Sequence, residues 1–186
     1  FVKANADRYN AITEDAVNFV QQYADRYDIN DMMVSFSGGK DSTVTSHIVN
    51  KALGTNKVLH VFGDTTLEFP YTLEYKKRFR TNKESQGVRI LTAKNREKNF
   101  EQLCEVVGPP SRVMRWCCTV FKTGAIQKTI SSAFKDKSNI LSFQGIRRSE
   151  SASRSKYERE SESPKISKQT VASPIINWIC LLYTYP

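Results

Sequence analysis

The sequence predicts an α/β fold of three layers, with a mainly parallel sheet between helices. Three observations predict it. Short apolar runs alternate with longer stretches of helical periodicity, the pattern of strand–helix–strand units. Polar and glycine-rich turns follow directly after those runs. The 186 residues, 39% hydrophobic and 25% charged, suit one domain with a real core and no need of disulfide staples.

The elements follow in chain order. Residues Tyr9 to Tyr27 carry Ile12, Val17, Val20 and Tyr23 at helical spacing, with acids and amides between them. Met32 to Phe36 is a short apolar run and reads as a buried strand. Asp41 to Ala52 reads as a helix ended by Gly54. Lys57 to Phe62 is a second strand, stopping at Gly63-Asp64-Thr65. Thr72 to Arg80 reads as helical, and Val88 to Thr92 as a third strand. Glu97 to Val107 is a helix closed by Gly108-Pro109-Pro110. Cys118 to Ser131 is a further helix and Asn139 to Gln144 a fourth strand. The polar stretch 149–168 reads as a loop, with two expectations for it: a solvated segment, or a mobile lid that orders over an anion. Tyr71, Tyr75 and Phe79 recur every four residues and are expected on a core-facing helix stripe rather than as a base-stacking platform.

The net charge of +9 and pI near 9.4 favour anionic partners such as nucleotides, phosphates or nucleic acid. No apolar stretch approaches the roughly 20 residues that span a bilayer, and no membrane partner is expected. The start, Phe1-Val2-Lys3-Ala4, lacks a signal-like apolar core and an initiator Met. The four cysteines, Cys104, Cys117, Cys118 and Cys180, fit a reducing cytoplasm. Oligomeric state is not legible.

In parallel sheets, ligands bind beyond the C-terminal ends of the strands. Three chemically equipped stretches fall there: Ser37-Gly38-Gly39-Lys40-Asp41-Ser42, then Asp64-Thr65, then Gly145 to Arg154. Paired glycines let a backbone approach a ligand, and the following helix start is an anion site. Lys40 adds a point charge, and Ser37 and Ser42 add hydroxyls. The spacing is not G-x-x-x-x-G-K, so this is not a Walker loop. Arg147, Arg148 and Arg154 can fork onto a phosphate or sulfate, with Glu150 orienting one of them. His47 and His60 read as structural.

The string Ser37 to Ser42 after an apolar strand resembles the PP-loop of the adenine-nucleotide α-hydrolase-like superfamily. Gly63-Asp64-Thr65-Thr66-Leu67-Glu68-Phe69-Pro70 is similar to the D-T-G-x-x-F-P stretch of phosphoadenylyl-sulfate (PAPS) reductase-like proteins, with Thr66 where that pattern has glycine. Gly145 to Arg154 resembles the family's G-x-R-x-x-E-S-x-x-R stretch, and Arg115-Trp116-Cys117-Cys118 with Lys122 its R-W-C-C-x-x-x-K stretch. Ser173-Pro174-Ile175 and Trp178 look like its S-P-I-x-x-W stretch.

The resemblance implies a Rossmann-like fold and a single nucleotide-binding domain over 1–186, cut short at its C-terminus. It implies ATP, adenylyl sulfate or PAPS as ligand, with Mg²⁺ accompanying ATP. The nucleotide contacts it implies are Ser35, Ser37, Gly38, Gly39, Lys40, Asp41, Ser42, Asp64, Thr65, Gly145, Arg147, Arg148 and Glu150. Lys40, Asp41, Arg147 and Arg154 would carry catalysis. Cys117 and Cys118 would be two ligands of an iron–sulfur cluster, with Cys180 a weaker third. Cys104 reads rather as a buried structural cysteine, and without a cluster the pair would be free thiols or zinc ligands. The implied chemistry is α-phosphate cleavage or sulfonucleotide reduction in sulfur metabolism, the latter with a thiol electron donor. Two other readings stand beside it. One is the sulfur-incorporating ATP pyrophosphatase of a DNA phosphorothioation system, where DNA or tRNA would be a partner. The other is a non-catalytic adenylate- or nucleic-acid-binding module.

Overall fold

The architecture was obtained as a computed structural model, which describes residues 5–84, 88–164 and 166–179. Six strands form one sheet in the order β3-β2-β1-β4-β6-β5. They are β1 (Met32–Phe36), β2 (Leu59–Asp64), β3 (Ile90–Lys94), β4 (Ile140–Gln144), β5 (Glu160–Glu162) and β6 (Gln169–Ala172). All neighbouring pairs are parallel except β5 with β6. The helices are α1 (Ala6–Gln21), α2 (Lys40–Leu53), α3 (Pro70–Glu84), α4 (Phe100–Val107) and α5 (Ala125–Ala133).

Alternate residues of each strand feed opposite faces, as the pleat requires. Met32 and Val34 on β1, with Leu141 and Phe143 on β4, pack under α1 and α2 together with Ile175 and Trp178. Phe36 and Phe62 continue that face beneath Phe79 of α3. Met33, Val61 and Ala93 face the other way, against Ala125 and Ile130 of α5. The three-layer α/β/α arrangement expected from the sequence is therefore the fold. His60 is fully buried. Its Nδ1 lies 2.9 Å from the Val58 carbonyl, which can only accept, so Nδ1 carries the proton and Ser46 Oγ donates to Nε2 at 2.7 Å. That bond ties α2 to β2, a structural role. His47 is exposed.

The strand order reverses at β1. The chain runs outward from β1 through β2 to β3, then returns to place β4 on the other side of β1. The C-terminal ends of β1 and β4 thus flank a switch point, the place where open α/β sheets bind ligands.

The segment 149–168, expected as a solvated loop or a lid over an anion, carries regular structure in its described residues. It holds two short 3₁₀ turns and strand β5, which extends the sheet as an antiparallel edge. Side chains pin it to the body: Tyr23 Oη donates to Glu160 at 2.6 Å and Arg159 pairs with Asp15 at 2.7 Å. Strand β6, also unread, lies just before the S-P-I-x-x-W stretch. The expected stripe Tyr71-Tyr75-Phe79 is split as well. Phe79 is buried and Tyr75 packs against it, but Tyr71 sits in the first turn of α3, 83% exposed.

Candidate active site

The turn between β1 and α2 is built on glycine geometry. Gly38 has φ +77°, a conformation L side chains rarely adopt, and a Cβ there would meet Thr72 Cγ2 at 3.2 Å. Gly39 caps α2, and no side chain closes that helix end. Ser42 Oγ donates to the Gly39 carbonyl at 2.8 Å and accepts from the Ser37 N–H at 3.2 Å. These bonds fold the turn on itself around Ser37 and Ser42. Ser35 lies within β1, paired to Val61 and Gln144, one residue short of the strand end.

Gly145, expected as a ligand contact, makes a close backbone approach to the first turn of α2. A Cβ at this position would lie 2.7 Å from the Asp41 carbonyl carbon and 2.9 Å from the Ser42 nitrogen. The end of β4 is pressed against the first turn of α2, and only glycine allows that approach. The consequence is that the chain after β4 passes directly beside the open helix end.

Arg147 then turns into that space. It is 6% exposed. Its Nε lies 3.3 Å from Asp41 Oδ1, its Nη2 3.3 Å from Asp41 Oδ2, and its Nη1 donates to Ser149 Oγ at 3.1 Å. Glu150 faces Nη2 at 3.6 Å and also pairs with Arg154. Lys40 Nζ reaches Asp41 Oδ1 at 2.9 Å. The result is an alternating chain of charge, Lys40–Asp41–Arg147–Glu150–Arg154, along the mouth of the switch point. Carboxylates fix the forks of the arginines, as buried cations require. Arg148 is not part of it. Its Nε donates to the Tyr157 carbonyl at 3.0 Å and its Nη1 to Asn177 Oδ1 at 2.7 Å, so its guanidinium holds the 149–168 segment to the Ser173–Trp178 turn.

Asp64 and Thr65 end β2 on the far side of the turn. Asp64 Oδ1 accepts from the Thr66 N–H at 2.9 Å and Oδ2 faces Lys94 at 3.7 Å. Thr65 Oγ1 donates to Glu68 at 2.8 Å. Thr66 has φ +67°, which explains why glycine suits this position. The strained threonine gains an acceptor role: its Oγ1 takes the Phe100 N–H at 3.0 Å. A cavity of about 310 Å³ opens here between Asp64, Leu73, Lys94 and Phe100.

Cys117 and Cys118 lie further out, beside the start of a π-helix, Cys118–Gly124. Such irregular turns are frequent at functional sites. Burial pushes the Cys118 thiol up, but hydrogen bonds from Arg115 and Cys117 and the charges of Arg115 and Lys122 outweigh it, so the thiol sits below its ordinary value. Val113, 96% exposed, and Met114 stand at the surface nearby. Among the described residues no group of three or more His, Cys, Asp or Glu could hold a metal. Cys180 lies outside the described residues. The described cysteines supply two adjacent thiols and not a four-thiolate set.

Residues 31–181 match the family model of the phosphoadenosine phosphosulfate reductase domain. The chain belongs to that family. Two relatives are the uncharacterized proteins MJ0066 and MJ0973 of Methanocaldococcus jannaschii. They are 35% and 30% identical over 97% and 96% of this chain. The chain spans only 36% and 41% of their lengths. Among solved structures, PAPS reductase from Candida auris in a phosphate complex superposes with TM-score 0.64 at 12% identity, over 94% of this chain and 81% of that one. Candida glabrata FMN adenylyltransferase with FAD and inorganic pyrophosphate gives TM-score 0.65 at 13% identity, over 94% of this chain and 56% of that one. At these identities the structures share the fold, that of PP-loop proteins of the adenine-nucleotide α-hydrolase-like superfamily.

The PP-loop and the Gly145–Arg154 stretch come together at the rim, while the cysteine pair lies further out and Ile175 and Trp178 lie in the core. Arg148 faces the scaffold, and Gly145 serves a close backbone approach. The π-helix at the cysteine pair carried no readable signal, because its sequence has ordinary helical periodicity.

Proposed function

We propose that the chain is an enzyme that binds ATP, or adenylyl sulfate or PAPS, with the α-side phosphate or sulfate at the Ser37–Ser42 turn, and breaks the bond to that group. The observation that carries the reading is the uncapped start of α2 at the switch point, with Gly145 pressed against it and buried Arg147 alongside. Backbone N–H groups and the positive helix end suit an anion. Lys40 and Arg147 would neutralise charge as it develops on the leaving group. With ATP, an acceptor atom would attack the α-phosphorus, the α–β P–O bond would break, and pyrophosphate would leave with the electron pair. Mg²⁺ would arrive on the phosphates of ATP rather than in a protein cage. Asp64 and Thr65 would border the nucleoside side. Sulfur metabolism is the setting the family favours, and Cys118, further out, carries a lowered thiol.

Titration with ATP, adenylyl sulfate and PAPS tests this reading, followed by product analysis with Mg²⁺. Binding of at least one is expected, in competition with pyrophosphate or sulfate. Pyrophosphate formed from ATP assigns cleavage. Sulfite formed from a sulfonucleotide with a dithiol donor assigns reduction. Failure of all three nucleotides to bind would overturn the proposal.

A further inference from the structure

The positive charge of this chain is concentrated in one stretch. Residues 76–98 hold nine Lys and Arg against two Glu, a net +7 of the chain's +9. The other 163 residues are nearly balanced. Such a concentration marks an electrostatic footprint rather than a generally basic surface.

The fold lays this stretch along one border of the molecule. It begins in the second turn of α3, returns through β3, and leaves toward α4. Strand β3 is the outermost strand of the sheet on that side. Lys77, Arg78 and Arg80 on α3 are exposed, as are Arg89 before β3, Lys94 at its end, and Arg96 and Lys98 beyond it. Arg78 keeps one local partner, Glu74 at 3.3 Å, and Lys94 faces Asp64 at 3.7 Å. The five residues of β3 alone run about 16 Å along this border. Its upper end is the C-terminal rim of the sheet, beside Asp64.

At that same rim two aromatic rings stand in solvent. Phe69 is 78% exposed and Tyr71 83%, with Leu67 and Leu73 also at the surface. Rings that do not join the core, next to a line of cations, are the two parts of a single-strand site: cations follow the backbone and aromatic faces take unstacked bases. Charge complementarity selects a polyanion, and the exposed rings select one whose bases are unpaired.

We propose that the border formed by α3 and β3, ending at Phe69 and Tyr71, binds single-stranded nucleic acid. The contact itself does not depend on the nucleotide-site reading. Only its consequence does: a strand held here would end beside the Ser37–Ser42 turn, and the acceptor would then be a nucleic acid.

The test is fluorescence anisotropy with labelled 20-nucleotide single strands of RNA and of DNA and with a duplex, without ATP. Single strands of one or both sugars are expected to bind more tightly than the duplex. For about five neutralised phosphates, affinity should fall about a hundredfold between 50 and 200 mM salt. The paired substitutions Lys77→Glu/Arg78→Glu and Arg96→Glu/Lys98→Glu should each lower affinity at least about tenfold. The control pair Arg8→Glu/Lys156→Glu carries the same change of charge, on α1 and on the 3₁₀ turn before β5. It should lower affinity far less. Phe69→Ala/Tyr71→Ala should erase most of the preference for single strands. Circular dichroism checks folding, and the loop pair Arg96/Lys98 carries the test if the helix pair misfolds. Equal losses in control and border variants would overturn the proposal. So would duplex binding as tight as single-strand binding, or binding to phosphatidylserine vesicles without binding to oligonucleotides. Lys40→Ala should retain oligonucleotide binding, so failure here and failure of the nucleotide site remain separable.

Discussion

Of the helices that begin at the C-terminal rim of the sheet, α2 and α4 have first turns finished in opposite ways. The start of α4 is closed by the chain itself. Asn99 accepts from the Gln102 N–H at 2.8 Å, Gln102 returns the bond to the Asn99 N–H at 2.9 Å, and Thr66 takes the Phe100 N–H, a capping box with an added acceptor. The start of α2 has a glycine cap and no capping side chain, while Gly145, Lys40 and Arg147 are arranged around it. The starts of α1 and α5 also lack a capping side chain; what sets the start of α2 apart is the cluster of fixed charges and the close approach of Gly145 around it. The difference teaches where to look: self-sufficiency marks scaffold, and incompleteness at a supported position marks a site.

Four substitutions break or sharpen the contrast. Gly145→Ala should have the largest effect. A methyl 2.7 Å from Asp41 backbone would drive β4 from the first turn of α2, costing about 1–3 kcal/mol in urea unfolding and abolishing nucleotide binding. Arg147→Met comes next. It leaves the carboxylates of Asp41 and Glu150 without their shared cation, and nucleotide affinity should fall by about 1.5–3 kcal/mol in a calorimetric titration. At the closed helix, Thr66→Gly and Thr66→Ala both remove the acceptor, but only glycine relieves the left-handed backbone. Thr66→Gly should be more stable than Thr66→Ala by about 1 kcal/mol, with nucleotide affinity little changed in either.

The smallest effect lies in the scaffold that holds β5. Burial and the Glu160 hydrogen bond raise the Tyr23 hydroxyl above its ordinary value. The folded state therefore holds that proton more tightly than the unfolded chain. The linked stabilisation is complete below pH about 10 and declines as pH rises beyond it. Tyr23→Phe should cost about 1 kcal/mol at neutral pH and lose that part of the alkaline decline, as followed by denaturant titrations at stepped pH.

Much of this was legible in the sequence. The run Met32–Phe36 is a strand with the bounds read for it, and β2, β3 and β4 fall within two residues of theirs. Apolar runs buried on both faces leave a plain trace. The PP-loop string and the Asp64 and Arg147 stretches were legible as chemistry because their residue types make little sense as packing. Strands β5 and β6 were not, since three exposed residues and four of mixed burial show neither alternation nor an apolar run. The role of Arg148 was hidden for another reason. Two neighbouring arginines look alike in sequence, and backbone direction after β4 sends one into the site and its neighbour to Tyr157 and Asn177. The packing of Gly145 against α2 was not legible, because nothing local in the sequence reveals that α2 lies against it.

The central claim is that the open end of α2 holds the α-side anion of an adenine nucleotide. Calorimetric titration of ATP into the chain and into Lys40→Ala tests it most directly, with denaturation curves confirming equal stability. Saturable binding weakened by about 1.5–3 kcal/mol in Lys40→Ala is the predicted result. Equal affinity in the two proteins would contradict it.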